Sequence, residues 1–312
     1  MQDNRLPRGA RKVSFASSGI ELQGWLLQGK VTERAPLIIM THGWSGTKEM
    51  SLDCYAEHFV ARGLSVMAYD HFGFGESGGL PRQEIDPIAQ TRGYRDAISF
   101  AQTLDEVDPD AIGIWGTSYA GGHVLTVAAF DKRVRCVVAQ CPTISGWDNT
   151  QMRFSKEQWA DMTAAFNQDR LKRFQGEPPA MVPVIPDMSK AVVDPDRTHF
   201  GNNGAAWYIN LKESSRANWH NEITLRSLEL YSEYEPGATI ERIAPTPLMM
   251  ILGEKDMVTP TASCVQAFER AGGPKELVML PGGHYDLYVE NRAAAANAAA
   301  NWFEEHLAPS KR

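Results

Sequence analysis

The segment with the clearest structural meaning reads AIGIWGTSYAGG and runs from Ala111 to Gly122. Its apolar first half predicts a buried strand, and its small-residue second half predicts a helix that begins directly after Ser118. A strand, a sharp turn and a helix in this order are typical of a nucleophile elbow, which holds a serine hydroxyl above the edge of a sheet. Ala120 stands where the general pattern has glycine, but alanine is small and Gly121 supplies close packing. Since Gly-x-Ser is common by chance, the role of Ser118 as a nucleophile depends on partners elsewhere in the chain.

Short apolar runs on both sides of this segment alternate with helical stretches. Such runs are typical of strands covered on both faces, so the sequence predicts an α/β fold with a mostly parallel sheet wrapped by helices. An antiparallel hairpin is predicted to precede it, because two strand-like segments flank Ser18-Gly19. The predicted buried strands are Leu37 to Met40, Leu64 to Tyr69, Ala111 to Trp115, Val134 to Ala139, Leu248 to Leu252 and Leu277 to Leu280. The predicted helices are Lys48 to Arg62, Asp86 to Glu106, Tyr119 to Phe130, Thr261 to Arg270 and Tyr288 to His306.

The alternation stops between Gly146 and Arg242. This span has helical patches, one of them opened by a capping box at Ser155, but no convincing strand. Strand-like runs resume at Pro247, so the span is predicted to be an insertion into one sheet. We therefore expect a core domain made of residues 1–145 and 243–312, and a helical cap, or lid, made of residues 146–242.

Length and charge exclude several classes of protein. The chain has 312 residues and a mass of 34.6 kDa, which suits one large α/β domain with an insertion. Its 31 basic and 38 acidic residues give a net charge of −7, which argues against a nucleic-acid partner. No segment reaches the roughly 20 apolar residues of a membrane span or resembles a secretory signal, so we expect a cytoplasmic protein. The four cysteines fall singly in apolar segments and are predicted to be free thiols.

A histidine and an acid follow the serine at later strand ends. Asp256 lies in the loop after the Leu248 to Leu252 strand, and His284 lies in the loop after the next strand. In a parallel sheet these loops share one edge with Ser118, and the order Ser, Asp, His is the order of an α/β-hydrolase triad. We therefore predict Ser118 as the nucleophile, His284 as the base and Asp256 as the acid.

Two other carboxylates compete with Asp256 for the role of the acid. Glu254 occurs where the loop has only just left the strand, and Asp286 lies two residues past the histidine. Because of these positions, Asp256 is preferred as the acid of the triad. The remaining histidines show no metal-binding spacing such as HExxH, and triad chemistry needs neither a metal nor a cofactor.

Attack on a carbonyl also requires donors for the developing oxyanion. The backbone N–H of Tyr119 follows the nucleophile at a helix start, where such groups have no acceptor within the helix. A second donor is expected from the loop after the Leu37 to Met40 strand, with the N–H of Trp44 as the best candidate. His42 is expected to brace this loop, and His71, at another strand end, is a candidate substrate-binding residue.

Together these residues resemble the α/β-hydrolase superfamily over nearly the whole chain. More narrowly, the chain resembles a capped subgroup that includes the fungal polyketide transferases. The motifs that carry this likeness are His42-Gly43, Lys48-Glu49-Met50, Glu84-Ile85-Asp86-Pro87, Val107-Asp108-Pro109, the elbow at Trp115-Gly116-x-Ser118, and Lys132-Arg133-Val134. The resemblance implies an eight-stranded core, a helical lid, and acyl chemistry through Ser118, Asp256 and His284. Where relatives often carry arginine after the strand-end Asp70, this chain has His71.

The sequence thus predicts a serine hydrolase that cleaves a carboxylic ester or a related acyl bond. The predicted cap carries four of the eight tryptophans, namely Trp147, Trp159, Trp207 and Trp219, which favours a small-molecule substrate with an apolar or aromatic acyl group. Three alternatives stay open: acyl transfer to an alcohol, hydrolysis of a carbon–carbon bond, and a non-catalytic binding module of hydrolase shape. Dehalogenase and epoxide hydrolase chemistry are disfavoured because both need aspartate in place of Ser118.

Overall fold

Eight strands form one mixed sheet in the computed structural model, which describes residues 6–29, 34–185, 203–215 and 217–308. The strands along the chain are β1 (Ala10–Ser17), β2 (Ile20–Leu27), β3 (Ala35–Thr41), β4 (Ser65–Tyr69), β5 (Val107–Thr117), β6 (Cys136–Gln140), β7 (Met181–Val182), β8 (Ile223–Thr224), β9 (Leu248–Gly253) and β10 (Lys275–Leu280). Their order in the large sheet is β1-β2-β4-β3-β5-β6-β9-β10, and β7 pairs with β8 in a separate ribbon. From β4 to β10 all neighbours in the large sheet are parallel. The predicted fold class is therefore confirmed.

The first two strands form the predicted hairpin. Ser17 pairs with Ile20 across a two-residue turn, in which Ser18 and Gly19 have φ values of 49° and 80°. Positive φ at both central residues is typical of the type I′ turn that matches the twist of paired strands. β2 then pairs antiparallel with β4 and joins the hairpin to the parallel part of the sheet.

Helices cover both faces of the sheet. They are α1 (Leu52–Ala61), α2 (Pro87–Ala101), α3 (Tyr119–Phe130), α4 (Gly146–Arg153), α5 (Lys156–Phe174), α6 (Gly204–Ser215), α7 (Leu225–Ser232), α8 (Thr261–Arg270) and α9 (Arg292–Leu307). Buried residues of α2, α3 and α8 form one apolar cluster with the sheet, and those of α1 and α9 form a second cluster. Because the two clusters share strands but no helix, the core has three layers.

Two helix starts follow the predicted chemistry. The Asp86 side chain accepts hydrogen bonds from the backbone N–H groups of Ile88 and Ala89, and Pro87 occupies the first position of α2. At α5, Ser155 and Gln158 form the complete capping box. Both arrangements satisfy N–H groups that have no acceptor within the helix.

The segment between β6 and β9 contains α4, α5, α6 and α7, the β7–β8 ribbon and a 3₁₀ helix at Pro236–Arg242. The ribbon differs from the expectation of an all-helical insertion. Its strands have two residues each, which is too short for a sequence pattern to show. Residues 186–202 and 216 of the predicted cap lie outside the described residues. Within the described ranges, no helix combines the length and apolar character that crossing a membrane would need.

The carboxyl ends of β3, β5, β6, β9 and β10 lie at one edge of the sheet because these strands run parallel. The loops that leave this edge carry Trp44, Ser118, Asp256 and His284. Ligands of open α/β sheets bind outside this edge.

Candidate active site

Ser118 lies in the turn between β5 and α3, with φ 56° and ψ −118°. A non-glycine residue with positive φ is strained, and this conformation requires small neighbours. A side chain on Gly116 would come within 2.2 Å of the Ala120 carbonyl oxygen, and one on Gly121 within 2.7 Å of the backbone of Pro142. The two glycines therefore allow the sharp turn, and Ala120 is accommodated fully buried beside it.

The three residues predicted for the triad meet through two hydrogen bonds. His284 Nε2 lies 3.0 Å from Ser118 Oγ, and His284 Nδ1 lies 2.7 Å from Asp256 Oδ2. With Nδ1 protonated, the imidazole donates to the carboxylate and Nε2 can accept from the serine hydroxyl. This is the hydrogen-bonded arrangement in which a serine can be deprotonated.

The Asp256 carboxylate is fixed by its own loop. Its Oδ1 accepts from the backbone N–H groups of Val258 and Thr259 at 2.8 and 2.9 Å, and its Oδ2 accepts from the Thr259 hydroxyl at 2.9 Å. These donors orient the remaining lone pairs toward His284. The carboxylate is 3% exposed, so they also replace the water that it loses.

The two competing acids occupy other places. Glu254 is exposed to solvent. Asp286 accepts a hydrogen bond from the backbone N–H of Gly283 at 2.7 Å and thereby shapes the loop that presents His284. Asp256 is the acid that contacts the imidazole.

Asp256 also sets the protonation of His284. Burial acts to lower the pKa of His284, but the negative charge of Asp256, its hydrogen bond and the nearby Cys141 outweigh burial and raise the pKa above its ordinary value of 6.5. A carboxylate at 2.7 Å stabilises an imidazolium. Such stabilisation suits a residue that must take up a proton during catalysis.

The loop after β3 presses against the nucleophile. A side chain on Gly43 would lie 3.1 Å from Ser118 Cβ, so Gly43 allows the loop to approach the elbow closely. The Trp44 N–H has no backbone acceptor among the described residues, and Tyr119 is the first residue of α3. Both predicted oxyanion donors therefore flank Ser118 from different elements.

His42 braces this loop from within. Its Nδ1 donates to the Gly43 carbonyl at 3.0 Å, and its Nε2 accepts from the backbone N–H of His71 at 3.3 Å. Burial, reinforced by Lys48, lowers the pKa of His42 against the opposing effects of Asp70 and the Gly43 carbonyl. The neutral tautomer fits both hydrogen bonds.

His71 follows the end of β4, as the sequence indicates, but it is deeply buried there. It is 1% exposed and is absent from the cavity wall among the described residues. Its ring packs edge-on against His42 and His123 at centroid distances of 4.8 and 5.5 Å. Burial, with His42 and His123 adding to it, holds the pKa of His71 well below 6.5, so the ring is neutral. The structure therefore does not bring His71 to the cavity wall with the other predicted site residues, and its contact with a substrate stays a prediction.

Behind the β3 loop lies a buried charge cluster, which we define as Lys48, Glu49, Asp70 and Glu76. The Lys48 ammonium is 2.7 Å from Asp70, 2.8 Å from Glu76 and 3.0 Å from Glu49, and the Lys48 backbone N–H also donates to Asp70. Burial acts to lower the pKa of Lys48, but Asp70 and Glu49 raise it well above its ordinary value. The cluster therefore ties the end of the β3 loop to the end of β4.

A cavity of about 540 Å³ opens above Ser118 and His284. Two of the four tryptophans of the predicted cap, Trp159 and Trp207, line it. Trp147 instead packs against Trp159 and is 47% exposed, while Trp219 stacks on Tyr208 behind the wall. The apolar wall is completed by Met50, Leu52, Phe154, Met162, Ile185 and Leu228. The space suits an apolar or aromatic group.

Several residues of the site carry no motif that sequence analysis could use. The Tyr208 hydroxyl donates to the Trp44 carbonyl, and the Trp219 indole N–H points at Ser45 Oγ from 3.5 Å. Both contacts join the predicted cap to the β3 loop across more than 160 residues. The loop of Asp256 carries a local signal, because an aspartate side chain often accepts from the backbone two residues further on in an Asx-type turn, as Asp256 does from Val258.

Two groups of side chains among the described residues have the spacing of metal ligands. Cys141, Asp256 and His284 form one group, and Glu49, Asp70 and Glu76 form the other. In the first, the acid and the imidazole bind each other, and in the second, Lys48 supplies the positive charge. Both groups are therefore satisfied by the contacts already described.

The chain is similar in sequence to a known protein family and to individual relatives. A family model described as the alpha/beta hydrolase fold matches residues 36–291. Quorum-quenching protein AidA of Acinetobacter baumannii (strain MDR-ZJ06) is 30% identical over 287 residues, which cover 92% of this chain and 91% of the relative. Thiohydrolase aneE of Aspergillus aculeatus (strain ATCC 16872 / CBS 172.66 / WB 5094) is 32% identical over 276 residues, which cover 85% and 83%.

A third relative is similar in sequence and in structure. Polyketide transferase grgF of Penicillium sp. is 29% identical over 310 residues, which cover 99% of this chain and 100% of the relative. The crystal structure of the α/β hydrolase GrgF from Penicillium sp. sh18 has a TM-score of 0.81 at 28% identity, with 96% of this chain and 99% of that chain covered. The resemblance to fungal polyketide transferases is thereby confirmed.

Proposed function

Because this chain belongs to the α/β-hydrolase family, we propose that it cleaves an acyl bond through a covalent intermediate on Ser118. The family and the relatives support an enzyme of hydrolysis or acyl transfer in general. The observation that carries the finer proposal is the pair of hydrogen bonds that link Ser118 to His284 and His284 to Asp256. A serine hydroxyl becomes nucleophilic only when such a base removes its proton.

The reaction proceeds in two halves. Ser118 Oγ attacks the carbonyl carbon while His284 Nε2 accepts the hydroxyl proton, and Asp256 stabilises the resulting imidazolium. The oxyanion receives hydrogen bonds from the N–H groups of Trp44 and Tyr119, each worth roughly 3 to 4 kcal/mol. His284 then protonates the leaving group, and water attacks the acyl-enzyme with His284 again as the base. The acid leaves and Ser118 regains its proton.

The acyl group is proposed to be apolar or aromatic and of small-molecule size. The cavity wall above Ser118 contains Trp159, Trp207 and Met162, which bind such groups by burial of apolar surface. The scissile bond is proposed to be a carboxylic ester or a related acyl bond, and a relative named a thiohydrolase favours a thioester as one such bond. The proposed steps use no cofactor.

We also propose that residues 146–242 form a cap on a core of residues 1–145 and 243–312. Support comes from α5 and α6, which contribute Trp159 and Trp207 to the cavity wall, and from the contact of Tyr208 with Trp44. A cap in this position shields the acyl-enzyme from bulk water.

The proposal is tested by covalent labelling and by hydrolysis. A fluorophosphonate should label the wild type and the Ser14→Ala variant, whose serine is exposed on β1, but not the Ser118→Ala variant. A panel of esters and matched thioesters, varied in acyl length and aromaticity, then gives the substrate. Ser118→Ala should lower kcat by about 10⁴ to 10⁶. Folded wild type that is neither labelled nor active on the panel would favour the binding module and end the proposal.

Transfer of the acyl group to an alcohol is the second candidate, favoured by the relative named polyketide transferase. It shares every step up to the acyl-enzyme, and only the attacking oxygen differs. Product analysis with competing alcohols separates the two reactions. Ester product in excess over free acid, in mostly aqueous buffer, would replace hydrolysis by transfer.

A further inference from the structure

Arg153 places a positive charge in the wall of a cavity that is otherwise mostly apolar. It lies in the last turn of α4, is exposed to solvent, and lines the same cavity as Ser118 and His284. Among the described residues that line this cavity, no other lysine or arginine and no aspartate or glutamate occurs. Met257, also in the wall, is 64% exposed. Since both side chains reach solvent, Arg153 lies at the opening of the cavity.

The Arg153 guanidinium is anchored but not neutralised. Its Nη2 donates to the Val258 carbonyl oxygen at 2.7 Å. Within the described part of the chain, no carboxylate lies within ion-pair distance of it, whereas Arg133, Arg173 and Arg226 each bind one. A guanidinium carries five N–H donors in a fixed fork, and one carbonyl occupies only part of it. The remaining donors can meet an anion that arrives from outside.

The anchor also fixes where that anion would bind. Val258 follows Asp256 by two residues and donates its own N–H to the Asp256 carboxylate. The guanidinium is therefore held against the loop that supplies the triad acid. The position of Arg153 in the last turn of α4 accounts for some stability through the helix dipole, but it does not account for the exposure of the guanidinium to the cavity.

We propose that Arg153 determines specificity by binding an anionic oxygen group of the substrate, a carboxylate or a phosphate, at the cavity mouth. This inference rests on the proposed function, because the apolar interior holds the acyl chain while Arg153 binds a charged end. Arginine suits both anions, since its fork matches two oxygens at once. The anion can belong to the far end of the acyl chain or to the leaving group.

Two matched substrate pairs distinguish these sources. The first compares the 4-nitrophenyl monoester of a dicarboxylic acid with the uncharged 4-nitrophenyl ester of the same chain length. The second compares an acyl thioester of 4′-phosphopantetheine with the thioester of pantetheine. We expect the wild type to prefer the charged member of at least one pair by about tenfold in kcat/KM.

Three variants complete the test. Arg153→Gln should remove the preference by lowering kcat/KM for the charged member far more than for the uncharged member, and Arg153→Lys should retain part of the preference. Arg92→Gln, a change of the same kind at an exposed position of α2 outside the cavity wall, should retain all of it. If Arg153 had a purely structural role, its replacement would lower kcat/KM for charged and uncharged substrates alike.

The inference is overturned if the wild type discriminates less than twofold in kcat/KM in both pairs. It is also overturned if Arg153→Gln keeps the preference, or if this variant lowers kcat/KM equally for both members of a pair. These results leave the proposed function intact as long as the uncharged members are cleaved and Ser118 is labelled. Failure of labelling together with failure on all four substrates would instead remove the proposed function and this inference with it.

Discussion

His284 lies between a hydroxyl and a buried carboxylate, and this placement sets the pH range of the proposed reaction. Only the neutral imidazole can accept the Ser118 proton. Because Asp256 raises the pKa of His284 above 6.5, the imidazole stays protonated, and inactive as a base, up to a higher pH than an ordinary histidine. We expect kcat/KM to fall as pH is lowered, with the midpoint of this acidic limb above 6.5. A pH profile of kcat/KM on the best ester measures it.

The matched variants are Asp256→Asn and Glu254→Gln. The first removes the charge at 2.7 Å from Nδ1, so the rate should fall strongly and the acidic limb should move to lower pH. The second removes an exposed charge and should leave the profile unchanged. The rate of fluorophosphonate labelling against pH gives the same information if turnover is too slow. An acidic limb that stays in place in Asp256→Asn would show that Asp256 does not control His284.

The triad could be predicted from the sequence because its three members follow separate strands, and parallel strands bring their carboxyl ends to one edge. Position along the chain was therefore enough for Ser118, Asp256 and His284 to be considered together. It was not enough for His71, because the same strand end can face the cavity or lie behind another loop. That choice depends on the packing of His42, which no local pattern contains.

The buried charge cluster around Lys48 holds the β3 loop in place. Both Lys48 and Asp70 have fully buried side chains, and the loop between Thr41 and Lys48 carries Trp44. Removing one partner of a buried ion pair leaves the other charge uncompensated, which costs about 3 to 5 kcal/mol. We expect Lys48→Met to lower the free energy of unfolding by this amount, measured by urea denaturation.

Lys12 provides the control for this prediction. It also binds Glu76, at 3.0 Å, but its side chain is 48% exposed. An exposed pair contributes about 0 to 1 kcal/mol, so Lys12→Met should change the unfolding free energy little. Equal losses of unfolding free energy in the two variants would mean that the burial of the charge cluster adds no stability.

The same cluster explains why the predicted start of α1 was wrong. The pattern predicted a helix from Lys48 to Arg62, but α1 begins at Leu52, because Lys48 is held by Asp70 and Ser51 has a positive φ of 69°. The bounds of α3 and α8 match the prediction, and α2 and α5 begin at their predicted caps. The β7–β8 ribbon escaped prediction because strands of two residues have no period to detect.

Contacts of α6 with the β3 loop couple the inserted segment to the catalytic loops. Tyr208 of α6 donates to the Trp44 carbonyl, and burial raises the pKa of Tyr208 to about 12, which keeps the phenol protonated as a donor. Trp219 stacks on Tyr208 at 5.1 Å and fixes its ring. Trp44, whose N–H is proposed to bind the oxyanion, thus has its carbonyl oxygen held by the insertion.

We expect Tyr208→Phe to lower kcat about 10-fold with little change in KM, since the hydroxyl orients a group that acts on the transition state rather than on the bound substrate. Tyr234→Phe is the matched control, because its buried hydroxyl contacts His123 and Thr126 instead of the β3 loop. Steady-state kinetics on the best ester, together with the affinity for a boronic acid that mimics the tetrahedral state, measure the effect. The affinity should fall in Tyr208→Phe in step with kcat. A variant that loses stability but keeps both kcat and boronate affinity would show that the insertion covers the site without orienting it.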